Sequence, residues 1–479
     1  MYIGLDLGTS GLKGLLVSED QDVLAEATAP LEVSRPKDGW SEQDPAHWIS
    51  AAEAVLGTLA SEHGLSGVRA IGLSGQMHGA TVLDDADAVL RPSILWNDTR
   101  SAAEAAEMDA DPAFREITGN IVFPGFTAPK LAWMKRHEPE LFAKARKVLL
   151  PKDYLRLWLT GEHVAEMSDA AGTSWLDTGG RDWSDVLLQK TGLSRDHMPR
   201  LVEGSEVSGH LRADLAARWG FERPVAVAGG GGDNAASAIG VGVVQAGQAF
   251  VSLGTSGVLF AANDGYAPDA ETAVHTFCHA LPSRWHQMGV ILAATDALNW
   301  YAGLLETDAA ALTAGLGDLH APGRALFLPY LGGERTPLND AHIRGAFLGL
   351  EHATDRAAAT RAVLEGVTFA IRDCRDALAA TGTEITSLLA VGGGSRSDYW
   401  LRAVATALGT PIDVPVAGDF GGAFGAARLA MMAATGGGAE LAPPPPIDHS
   451  IDPNPTLAGA FDEGHARYVA ARDAIRGLT

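Results

Sequence analysis

The sequence holds 479 residues, 46% hydrophobic and 20% charged, a globular composition long enough for two or three domains of ordinary size. Against 36 basic residues stand 59 acidic ones, a net charge of −23; so acidic a surface repels phosphate backbones and anionic lipid, which excludes nucleic acid and membrane surfaces as main partners. Cys278 and Cys374 are the only cysteines, too few for a disulfide framework or a four-cysteine zinc site, so a reducing cytoplasm is the expected compartment. The 56 glycines exceed the usual share of about 7% and predict many tight backbone turns.

The chain opens Met-Tyr-Ile-Gly-Leu-Asp. This is no basic segment followed by an apolar run, so no export leader is expected and the first strand is expected at once. That strand enters Gly-Thr-Ser-Gly at 8–11 and a second apolar run leaves it, the pattern of a β-hairpin. Asp44 is placed to cap a helix with Pro45 in its first turn and Trp48, Ala52, Val55 and Leu59 on one face. A strand at about 68–73 runs into the Gly-Gln-Met-His-Gly loop. A second, at 224–228, runs into four glycines and Asp233. The stretch 225–244 carries those glycines, Asp233 and Asn234, so it reads as buried strand and loop and not as a membrane span.

At 254–257 the Gly-Thr-Ser-Gly turn recurs, 246 residues after the first copy and again between two apolar runs. Each copy opens about half of the chain, which predicts two domains built on one plan. Val363, Val367, Ala370, Cys374 and Leu378 form a helix stripe ending near Gly382, which makes Cys374 a core residue. A strand at 387–391 then runs into a third glycine loop and a helix of about 398–408. Gly436–Gly438 and Pro443–Pro446 read as a linker, and a terminal helix of about 456–477 is expected to pack back on the body. The division follows: residues 1–245, residues 246–440, and a proline-rich linker with terminal helix at 441–479.

The chemistry is read from the turns. Successive backbone N–H groups with Thr and Ser hydroxyls can cradle phosphate oxygens without a basic surface, and two copies at matched positions favour that use over plain turns. Asp6 lies two residues before the first turn in an otherwise apolar strand. A buried aspartate needs a partner or a metal, and magnesium beside phosphates suits it; the alternative is a carboxylate satisfying turn amides. Lys13 either reaches phosphate or is solvated. The four glycines before Asp233 have no packing value in this reading; they let a ligand approach and present a carboxylate able to accept a hydroxyl proton. Asp419-Phe420-Gly421 matches a protein-kinase tripeptide by chance, since no catalytic loop precedes it. His275, Cys278 and His279 lack a second ligand pair, so metal binding is not expected there.

Eleven segments in order carry a resemblance to the FGGY carbohydrate kinases, within the actin/hexokinase/Hsp70 superfamily. They are 6–13, WSEQDP at 40–45, GQMHGA at 75–80, WNDTR at 96–100, PGFTAPK at 124–130, PKDYLRLWLTGE at 151–162, SDAAGT at 168–173, GGGDNAA at 230–236, SLGTSG at 252–257, GERTP at 333–337 and VGGGSRSDYW at 391–400. The resemblance implies an α/β fold of two ribonuclease-H-like domains about a central cleft, a cytoplasmic enzyme and a homodimer. Its activity would be ATP-dependent phosphorylation of D-xylulose at the 5-hydroxyl. By the same resemblance Asp233 is the base and Asp6 organises Mg²⁺. Thr9, Ser10, Gly11 and Lys13 form one phosphate loop, Gly254, Thr255 and Ser256 the other, and Gly393 and Gly394 lie against the adenosine. Met77, His78, Trp96, Asn97, Asp98, Asp233 and Asn234 contact the sugar. Some relatives carry asparagine near the adenine where this chain has Asp398, which leaves the base contact open. Two alternatives remain: a related kinase of another pentulose or polyol, and an actin- or Hsp70-like ATPase with no sugar substrate.

Overall fold

A computed structural model describes residues 1–416, 418 and 420–478; Asp419 of the kinase-like tripeptide lies outside them. Both Gly-Thr-Ser-Gly segments are hairpin turns. Tyr2–Leu7 pairs antiparallel with Gly11–Val17, and Gln248–Leu253 with Gly257–Asn263. In each hairpin the first strand also pairs in parallel with a later one, Ala70–Gly75 in the first lobe and Ser387–Val391 in the second. A third parallel strand continues each sheet, Ala226–Ala228 and Ile412–Pro415. Among the described residues each lobe thus holds a seven-stranded sheet of one plan.

Local chemistry explains the elements that the sequence marks. Asp44 accepts the Ala46 N–H at 2.9 Å at the start of Pro45–His63, whose face of Trp48, Ala52, Val55 and Leu59 is fully buried. Ser397 caps Asp398–Leu408, and Asp355 caps Arg356–Ala380, which buries Cys374. The terminal helix Ala458–Ile475 buries Phe461 and Tyr468 against the second lobe, with the Tyr468 hydroxyl 2.7 Å from that of Tyr330.

Two features depart from the expected division. Residues 447–451, expected in the linker, form the strand Ile447–Ile451, which pairs antiparallel with Ile412–Pro415. The helix Gly422–Thr435, expected in the second domain, packs instead on the first sheet and on the helix Asp233–Gly240. Glycine allows it: a Cβ on Gly4 would stand 1.8 Å from the Ala423 carbonyl oxygen, and one on Gly72 the same distance from that of Ala426. The chain therefore crosses between the lobes three times, after Gly240, before Gly422 and after Thr435, and the helices Asp233–Gly240 and Gly422–Thr435 lie side by side.

Residues between Ala70–Gly75 and Val207–His210 form a separate layer. Its core of Phe114, Phe126, Trp133 and Trp175 is continuous with Phe250, Phe260 and Phe277 of the second lobe. This layer roofs the cleft that the two sheets define.

Candidate active site

Strand ends build the site. Asp6 lies at the end of Tyr2–Leu7, in register with Lys13 across the hairpin and with Ser74 on the parallel neighbour. The Ser74 hydroxyl donates to Asp6 Oδ1 at 2.8 Å. Opposite, the first residue of Gly422–Thr435 comes so close that a Cβ there would meet Asp6 Oδ2 at 2.9 Å. The Asp6 carboxylate thus faces the N-terminal end of a 14-residue helix, whose dipole favours negative charge.

Asp233 opens the helix Asp233–Gly240, and its Oδ1 accepts the Asn234 N–H at 2.8 Å and the Asn234 Nδ2–H at 3.1 Å. Burial pushes its carboxyl up to about 6, and the charge of Asp6 adds to the rise. This places Asp233 near the range of an efficient base at neutral pH. The glycines before it do pack, contrary to expectation. Gly230 has φ +79° and lies where a Cβ would stand 2.0 Å from the Leu73 carbonyl oxygen, while one on Gly232 would meet the Met77 side chain at 2.9 Å. They bring this loop against the neighbouring strand end and its Met77-His78 turn.

His78 adopts a left-handed backbone, φ 68°, a strain that non-glycine residues bear where function requires it. Its carbonyl accepts from Lys130 Nζ at 2.7 Å, and its Nδ1 lies 2.7 Å from the Gly172 carbonyl. A carbonyl only accepts, so Nδ1 carries the proton and Nε2 is left as an acceptor for a ligand hydroxyl. Burial pushes the imidazole down to about 3, with Lys130 and Arg335 contributing, so it stays neutral. Its ring stacks on Phe126 at 4.5 Å.

The remaining residues expected to contact a sugar differ in availability. Trp96 is 46% exposed, and its Nε1–H donates to Thr9 Oγ1 at 3.0 Å. The Thr9 hydroxyl in turn donates to Gln76 Oε1 at 2.9 Å. That commits the Thr9 proton to Gln76. Asn97 Oδ1 is buried and has no hydrogen-bond partner among the described residues. Asp98 is engaged by protein groups. Its carboxylate is buried, accepts Arg100 Nε–H and Nη2–H at 2.9 and 2.7 Å and the Ser41 N–H at 2.6 Å, and so braces the loop.

On the phosphate side Ser10, Thr255 and Ser256 are exposed at the two turns. Lys13 Nζ lies 3.3 Å from Glu26. The Gly254 carbonyl is held by the Thr295 N–H and hydroxyl at 2.9 and 2.7 Å. Beside it a cavity of about 520 Å³ is lined by Thr295, Leu298, Asn299, Gly393, Gly394 and Arg396. Gly393 opens onto this space, whereas Gly394 serves packing, since a Cβ there would stand 2.7 Å from Leu253 Cβ. Asp398 lines a different cavity of about 640 Å³, with Asn234 and Ser237 of the first lobe. The side chains of His275 and His279 do not converge: His275 packs on Phe123 and Phe277, and His279 Nε2 lies 3.1 Å from the Val243 carbonyl.

Sequence reasoning assigned no role to the buried charges beneath the glycine run. Lys152, Asp153, Arg156, Glu166 and Asp169 are completely buried. Lys152 Nζ lies 2.8 Å from Asp153 and 3.4 Å from Asp169. Burial works against its ammonium, but Asp153, Asp169 and Glu166 outweigh it and raise its pKa. Arg156 donates to the carbonyls of Ala228 and Gly229 at 2.6 Å each, and the Ser168 hydroxyl accepts the Gly232 N–H at 3.0 Å. The network grips both ends of the loop that presents Asp233. Lys152→Met leaves three buried carboxylates facing Arg156 alone and is expected to cost about 3–5 kcal/mol of stability, measured by urea denaturation.

A duplicated ribonuclease-H-like sheet, two hairpin turns facing one cleft and a carboxylate at a glycine-lined strand end define a two-lobed phosphotransferase of the actin/hexokinase type. The chain belongs to the FGGY family of carbohydrate kinases: residues 1–240 match its N-terminal domain and residues 249–434 its C-terminal domain. It is 50% identical over 484 aligned residues to the xylulose kinase of Escherichia coli strain K12, covering 100% of this chain and 98% of that one. A crystal structure of a "xyloylose kinase" from Brucella ovis superposes with a TM-score of 0.99 at 62% identity, covering both chains completely. The xylulose kinase from Rhodospirillum rubrum superposes with a TM-score of 0.93 at 31% identity over 99% of each chain. No helix among the described residues is long and apolar enough to cross a membrane.

Proposed function

We propose that this kinase transfers the γ-phosphoryl group of ATP to the 5-hydroxyl of D-xylulose, in the cytoplasm, with Asp233 as the base. The observation that carries the chemistry is the Asp233 carboxylate, held by Asn234 at the mouth of a glycine loop that packs on Met77. Full-length similarity to kinases named for xylulose supports the substrate. In the reaction the 5-hydroxyl proton passes to Asp233 as the oxygen attacks the γ-phosphorus. The bond from that phosphorus to the bridging oxygen breaks, and ADP leaves. His78 Nε2 accepts a sugar hydroxyl proton as a hydrogen bond, and the turns at 8–11 and 254–257 offer N–H groups to the phosphates.

Asp6 fits a magnesium site, being a carboxylate bonded by the Ser74 hydroxyl at a strand end that runs into the turn at 8–11. Mg²⁺ usually takes one or two carboxylates and completes its shell with waters and phosphate oxygens. When bound it neutralises charge on the β- and γ-phosphates.

The test is ADP release assayed over a panel of pentuloses and polyols. Highest kcat/KM with D-xylulose supports the reading; a stronger response to another pentulose or polyol assigns that substrate instead. Sugar-independent ADP release would indicate an ATPase of the Hsp70 kind. The pH dependence follows from Asp233. The reactive form is the carboxylate, so kcat/KM for the sugar is expected to be level above pH 7 and to fall about tenfold per unit below pH 6.

A further inference from the structure

The segment 334–336 of the second lobe presents one side chain that the scheme above leaves unused. Glu334 turns inward: its Oε1 accepts the Leu292 and Arg335 N–H groups at 3.0 and 2.7 Å. Thr336 is pinned to the end of Trp285–Ile291, its N–H donating to the Val290 carbonyl at 3.0 Å and its hydroxyl accepting the Val290 N–H at 3.0 Å. Between these two anchors Arg335 turns the other way, into the cleft. Its guanidinium lies 4.8 Å from the centre of the Phe123 ring, which belongs to the roof of the first lobe. Among the described residues its guanidinium makes no hydrogen bond or salt bridge, and the carboxylate that acts on it through space is that of its neighbour Glu334. Phe123 contacts Phe126 at 5.4 Å between ring centres, and Phe126 stacks on His78. The charge of Arg335 acts on both His78 and His275.

A guanidinium has five N–H donors in a planar fork. Holding one rigidly, half-buried and without acceptors, beside an aromatic wall and a neutral histidine acceptor, makes sense where the ligand brings the acceptor. We infer that Arg335 is a specificity-determining residue, donating from the second lobe to an oxygen at the end of the sugar remote from C5. The inference rests on the D-xylulose reading. His78 supplies an acceptor and Arg335 a donor to the same end of the ligand, each from a different lobe. The sugar thereby becomes a bridge across the cleft, and its binding favours the closed arrangement in which water is excluded.

The experiment is steady-state kinetics of the full chain and of Arg335→Met and Arg335→Lys, varying D-xylulose and ATP separately. Losing a charge-assisted hydrogen bond, Arg335→Met is expected to raise the KM for D-xylulose about 10- to 100-fold while the KM for ATP moves less than about twofold. Arg335→Lys, which keeps charge without the fork, is expected to recover part of the loss. Thermal melts of each variant establish that the protein is folded; Arg335→Lys carries the test if Arg335→Met is not. An unchanged KM for D-xylulose in a folded variant overturns the inference, as does a rise confined to ATP. Failure of the unsubstituted chain to phosphorylate D-xylulose would instead overturn the substrate reading.

Discussion

Asp233→Asn is expected to lower kcat with D-xylulose and ATP by about 10²–10⁴-fold, the range attributed to a positioned base. The asparagine Oδ1 can still accept the Asn234 N–H, so the helix start and the shape of the pocket are retained. What disappears is the oxygen that takes the 5-hydroxyl proton. Sugar affinity, read by isothermal titration without nucleotide, is expected to survive. Stability should not fall either. Burial raises the Asp233 carboxyl to about 6, so folding disfavours its charge above that pH, and a neutral amide removes the conflict. A melting temperature at or above that of the parent, together with the kinetic loss, separates chemistry from damage to the fold. Near-normal turnover would exclude Asp233 as the base.

The second large effect is structural. Gly425→Val is expected to cost about 3 kcal/mol or more, because overpacking is expensive where the neighbour is backbone and cannot rotate away. A Cβ at Gly425 would stand 1.7 Å from the Ala236 carbonyl oxygen and 2.9 Å from the Gly240 nitrogen. The two helices that carry the chain between the lobes would have to separate, and Asp233 begins one of them. The expected result is a melting temperature lower by about 3 °C or more, or loss of folded protein. Gly303→Ala is the control: it lies in the helix Thr295–Leu304 with no atom near the added Cβ, and should leave stability unchanged or slightly raised. Equal melts for the two variants would refute the helix contact as a fixed feature of the fold.

The difference between these two glycines shows how far the sequence could be read. Gly8 and Gly254 announce hairpin turns because a turn is a contract among four adjacent residues. Gly425, Gly4 and Gly72 sit within regular elements, where nothing local explains them; their use is a close approach between segments far apart in the chain. The same limit hid the packing of Gly422–Thr435 on the first sheet. It also hid packing in a glycine run that seemed to have none.

Charged residues divide in the same way. Asp6 and Asp233 stood out because each interrupts an apolar or glycine-rich run next to a turn. Asp98 entered through the resemblance alone, and its carboxylate is bonded to Arg100 and Ser41. Lys152, Arg156 and Asp169 lay in segments noted for their resemblance alone, and only their complete burial reveals a network under the Asp233 loop. Arg335 lay in a segment noted for its resemblance alone, and its position against Phe123 joins residues 212 apart in sequence.

By itself the sequence determined the duplicated plan, the strand-end glycine loops and the two carboxylates at their mouths. Turn chemistry and hydrophobic period act over a few residues, and they agree here from one end of the chain to the other. The tertiary structure alone decided which lobe holds the crossing helix, which charges are buried and paired, and which polar groups face the cleft unsatisfied. Those outcomes depend on backbone approach and on the local dielectric, and both arise only when distant segments pack together.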